Sequence, residues 1–120
     1  MSSANGPRLE VTRGDSTTVV TITNCRSIVE SNAEAIGAEL DRVAAEKPGQ
    51  HLVVDVHEIE FISSLGLGKL IGLHGRLRSR GGKLTLRNPR PMVREILAIT
   101  CLDQVIGIDP PAQPPAAPKA

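Results

Sequence analysis

The chain has 120 residues, 40% of them hydrophobic and 22% charged, which fits one folded domain with a single core better than two. Its net charge is +1, no apolar run approaches a bilayer span, and the opening residues MSSANGPRLE lack the apolar centre of a secretory signal; a cytoplasmic protein without membrane insertion is expected. Cys25 and Cys101 stand alone, at neither zinc-ligand nor disulfide-framework spacing, and are expected to be buried free thiols with no metal site.

In chain order, Leu9 and Val11 alternate with Glu10 and Thr12, and Gly14-Asp15 turns into the β-branched run TTVVTIT. This pattern predicts a hairpin with one buried face. From Asn32 to Glu46, Ala33, Ile36, Leu40, Val43 and Ala44 recur at helical spacing until Pro48-Gly49, which predicts an amphipathic helix. The near-continuous apolar run HLVVDV then reads as a central strand covered on both faces. Leu67, Leu70, Ile71, His74 and Leu77 define the apolar face of a second helix, stopped by Gly81-Gly82. KLTLR alternates as a strand, Pro89 and Pro91 precede a third helix carrying Val93, Ile96, Leu97 and Thr100, and QVIGI closes the domain as a last strand. Residues 109 to 120 hold five prolines and no apolar period, the composition of an extended, disordered tail.

The order strand, strand, helix, strand, helix, strand, helix, strand specifies an α/β fold, a mixed, mostly parallel sheet with helices packed against it through right-handed crossovers. Seven bases and no acid lie between Arg76 and Arg94. Such a run could face an acidic partner, or simply be a solvated helix end, strand and loop, since arginine also answers the dipole at a helix C-terminus. Phe61 is the sole aromatic, so the stacking platforms of single-strand nucleic-acid binding are lacking and no nucleic-acid partner is expected.

The stretch FISSLGLGKLIG, residues 61 to 72, falls where a central strand leads into a helix. A Walker loop would need glycine at Ser63 and a hydroxyl at Leu70; a dinucleotide fingerprint would need glycine at Ile71; a nucleophile elbow around Ser64 would need glycine at Ile62. All three templates fail, so no cofactor is expected. Neither a paired acid and base nor an oriented nucleophile is visible, and enzyme activity is not expected. Asp55, within the apolar strand, is read as a partner for nearby backbone N–H groups. Gly66 and Gly68 are read as close-packing positions, and Ser64 as either a helix N-cap or a modifiable hydroxyl.

Together with LRSRGGKLTLRN and VREILAITCLDQVIGI, this stretch resembles the STAS domain of bacterial anti-sigma factor antagonists, over roughly residues 8 to 108. The resemblance implies a protein-binding switch. An unmodified antagonist captures an anti-sigma factor with serine kinase activity, and phosphorylation of a hydroxyl at the helix start abolishes that capture. It implies Ser64 as the phosphorylation candidate, Ser63 as a secondary one, and Ile62, Leu65, Gly66, Leu67 and Gly68 as the partner-binding stretch. The usual motif, Phe-Ile/Met-Asp-Ser-Ser/Thr/Ala-Gly-Leu-Gly, has aspartate where this chain has Ser63 and a small residue where it has Leu65. These departures leave a second reading open, a STAS scaffold or transport accessory adaptor that is not phosphorylated.

Overall fold

The computed structural model describes residues 6–109. Strands β1 (Arg8–Arg13) and β2 (Thr17–Thr23) form the expected hairpin, closed by a 2.8 Å bond from the Gly14 amide to the Thr17 carbonyl. A two-residue strand β3 (Ser27–Ile28) leads into helix α1 (Glu30–Ala44). Strand β4 (His51–Asp55), a short β5 (Phe61–Ile62), helix α2 (Ser64–Ser79), strand β6 (Lys83–Arg87), helix α3 (Pro91–Ile99) and strand β7 (Gly107–Asp109) complete the chain. The main sheet runs β1-β2-β4-β6-β7, with β1 antiparallel to β2 and the other pairs parallel; β3 and β5 form a separate parallel pair.

Helix α1 starts two residues before the expected Asn32 because Asn32 itself organises its first turn. Its Oδ1 accepts from the Val29 amide at 2.8 Å and its Nδ2 donates to the Ser27 carbonyl at 2.8 Å. The other end is held by Gln50, a buried side chain whose Nε2 donates to the last-turn carbonyls of Val43 and Ala44 at 3.0 and 3.1 Å. These are groups a helix cannot satisfy internally. In α2 the buried face is Leu67, Leu70, Leu73 and Leu77; Ile71, expected inside, is 47% exposed, and Leu73 takes its place in the core. The last strand begins later than expected because Val105 and Ile106 donate back to the Leu102 carbonyl, holding Leu102–Gln104 in a 3-10 turn. Asp109 therefore belongs to β7, and the remainder of the expected tail, 110–120, lies outside the described residues.

Strand order decides which sheet face is covered. From β2 through β4 and β6 to β7 each step moves the same way across the sheet, and right-handed crossovers then place all three helices on one face. That face carries Val20, Ile22, Leu52, Val54, Leu84 and Leu86, packed with Leu40, Leu70, Leu73, Val93 and Leu97 from the helices. The expectation of a central strand covered on both sides holds at its centre, where Leu52, Val53 and Val54 are all buried, but the helices account for one side only. His51, Val53 and Asp55 alternate away from this core, with Val53 in the row Val19, Val53, Thr85, and among the described residues no helix covers that side. Cys25 is buried as expected, and burial raises its thiol pKa. Cys101 is exposed instead, in the left-handed conformation (φ 62°) that ends α3. Among the described residues no helix is long and apolar enough to cross a membrane.

Candidate functional site

The turn from β5 into α2 is fixed from beneath. The Ser63 amide donates to the Ile28 carbonyl at 2.8 Å, tying the helix start to β3. Ser63 is the N-cap: its backbone is extended and its hydroxyl accepts from the Gly66 amide at 3.2 Å, satisfying one of the otherwise orphaned N–H groups. The capping role considered for Ser64 therefore belongs to Ser63. Aspartate, the usual residue of this slot, is also a good cap, so the substitution keeps the local chemistry. Ser63 is buried, and Ser64 is exposed as the first helical residue.

The partner-binding stretch divides by depth. Ile62 and Leu67 are only 2% and 8% exposed and Gly66 is buried; their expected place at a partner surface is corrected, because they pack into this domain's own core. A Cβ on Gly66 would stand 2.8 Å from the methyl groups of both Ile28 and Ile62, so glycine there is what lets α2 settle on the β3/β5 pair. Leu65 is half-buried against the core edge. Phe61, not singled out from the sequence as a contact, is 45% exposed; strand alternation was the available signal, since turning Ile62 inward turns Phe61 out.

Gly68 is different from Gly66. It is exposed, and a Cβ built on it meets nothing within 4 Å, so the close-packing role expected for it is corrected. Glycine inside a helix costs roughly 0.5–1 kcal/mol relative to alanine, and no contact within the domain offsets that cost. Four residues after Ser64, Gly68 lies on the same helix face. The first turn of α2 carries no acid, leaving the positive end of its dipole uncompensated by side chains. Lys69 leans away across Gly37 to pair with Glu34 at 2.8 Å.

Other polar candidates have structural partners. Asp55 accepts from the His57 amide at 3.0 Å and faces His57 Nδ1 at 2.9 Å and Asn88 Nδ2 at 3.2 Å, the backbone-bonding role expected of it. The arginine run is dispersed: Arg76 pairs with Asp41 at 2.6 Å, Arg87 with Asp109 at 3.4 Å, and Arg90 donates to the His57 carbonyl at 2.8 Å.

The family model described as "STAS domain" matches residues 8–113. The chain belongs to the STAS domain family. Among relatives of this STAS chain, the "Anti-sigma F factor antagonist" of Paenibacillus polymyxa is 21% identical over 76 residues, 63% of this chain and 65% of that protein. The match thus spans less than two thirds of that relative. The crystal structure of an anti-sigma factor antagonist from Mycobacterium paratuberculosis superposes with a TM-score of 0.73 at 25% identity, over 87% of this chain and 86% of that one. The Bacillus cell fate determinant SpoIIAA in its phosphorylated form gives a TM-score of 0.63 at 20% identity over 93% and 96% of the two chains. That likeness establishes the shared STAS fold.

Proposed function

We propose that this STAS domain is a non-enzymatic regulator, an anti-sigma factor antagonist that captures an anti-sigma factor with serine kinase activity and releases it once Ser64 is phosphorylated. The names of the relatives support the class. The observation that carries the site is the pairing of exposed Ser64 with Gly68, an exposed helical glycine for which the domain has no internal use. Such a glycine keeps the helix surface flat beside the hydroxyl, so a partner can approach the backbone closely.

The switch follows from charge. A phosphoserine carries about −1.5 to −2 charges at pH 7. On the first residue of a helix without first-turn acids, that charge is favourable to the folded domain. Within a contact it must be desolvated and loses its place. Two departures from the usual motif had favoured the scaffold or transport-adaptor reading, and both are accommodated locally: Ser63 keeps the cap, and Leu65 leans on the core. The test is direct. Incubated with its partner kinase and ATP, the chain gains one phosphate, mapped to Ser64 by peptide mass spectrometry and lost in Ser64→Ala. Phosphate found only on Ser63, or none with a kinase that demonstrably binds, would defeat the assignment.

A further inference from the structure

The sheet face turned away from the helices carries a second, chemically different site at the opposite end of β4 from the Ser64 turn. Register places Thr17, His51 and Lys83 side by side across β2, β4 and β6. All three belong to the face away from the helices, since their neighbours Thr18, Leu52 and Leu84 are the buried ones. With Ser16 and the turn glycines Gly49, Gly81 and Gly82 they line a shallow cavity of about 320 Å³, broadly open to solvent. Gly49 and Gly81 have left-handed backbones, φ 76° and 83°, so two sharp turns bound the cavity without side chains to fill it.

Every functional group on this lining suits an anion. Ser16 and Thr17 bring hydroxyls, Lys83 an exposed ammonium and His51 an imidazole, and among the described residues no carboxylate lines the cavity. The imidazole is held in place by a 2.7 Å bond between Nε2 and Thr85 Oγ1. When Nε2 accepts from that hydroxyl, Nδ1 carries the hydrogen and can donate to a ligand even in the neutral ring. Burial, then the charges of Lys83 and Arg87, lower the His51 pKa. We propose that this cavity binds a small phosphate-bearing anion, with Lys83 and the hydroxyls of Ser16 and Thr17 as its donors and His51 as the group that senses it.

Inorganic phosphate titrated into the 15N-labelled full chain at constant ionic strength tests this. The expected result is saturable shifts confined to the amides of residues 16, 17, 51 and 83, with the His51 ring pKa rising as phosphate binds. Burial and then the charges of Lys83 and Arg87 on β6 lower this pKa before any ligand binds, so the same titration in Lys83→Gln separates the ligand from the resident field. That variant removes an exposed side chain, leaves the fold intact, and should weaken phosphate about tenfold, the loss of one charged hydrogen bond; Ser16→Ala should weaken it less. Non-saturating shifts, shifts centred on Arg76, Arg78 and Arg80, or equal affinity in Lys83→Gln would overturn the proposal.

Discussion

Gly66 and Gly68 stand two residues apart in one motif and have opposite physical roles. A methyl on Gly66 would press on Ile28 and Ile62 at 2.8 Å, so Gly66→Ala should destabilise the domain by about 1–3 kcal/mol in urea unfolding, the usual effect of overpacking. Gly68→Ala meets open space and should stabilise it by about 0.5–1 kcal/mol, while Gly68→Arg should fold normally and fail to capture the partner. Cys101 holds a left-handed backbone at the end of α3, where a side chain costs about 1 kcal/mol or more; Cys101→Gly should raise the melting temperature. His51 adds a pH dependence of definite sign. Its pKa is lowered in the folded domain, so below the unfolded value of about 6.5 the unfolded chain binds more protons and stability falls with acidification. Above about pH 6.5 the contribution is fully present. Unfolding midpoints between pH 7 and 5 should therefore decline less steeply in His51→Gln than in the parent.

The behaviour of α2 depends on how its first turn is divided between two serines. Ser63 caps and is buried; Ser64 is exposed and leaves the cap undisturbed. Ser63→Ala should cost about 1 kcal/mol, and Ser63→Asp should restore most of it, since both side chains accept from a first-turn amide. Helical and strand periodicity made every long element legible in the sequence. The division of the serines was not, because which hydroxyl caps depends on a one-residue choice of helix start, set here by the bond from the Ser63 amide to Ile28 across β3. The same blindness misplaced Ile71: a face drawn from Leu67, Leu70 and Leu77 admits either Ile71 or Leu73, and only packing against the sheet selects Leu73. Ile62 was misassigned for a simpler reason, the two-residue strand β5 being too short to show its alternation.

In the whole molecule the fold separates support from display. All three helices cover one sheet face, the apolar stretch of β4 faces them only through Leu52 and Val54, and the opposite face carries threonines, charges and the two valines Val19 and Val53. Family and fold class were legible because the turn motif and the strand-helix order agree; the placing of all three helices on one face was not, since HLVVDV reads alike for a strand packed against helices once or twice. With the core committed beneath α2, the helix start is free to change its charge without changing the fold. Titration calorimetry of the captured anti-sigma factor against unmodified and Ser64→Asp chains, with thermal melts of both, puts this to the test most directly. Binding should be weakened about thirtyfold or more, as for a charge buried without a partner, with the melting temperature unchanged or slightly raised by a carboxylate at the helix start. Equal affinity in the two chains would contradict it, showing that charge at this turn is not the switch.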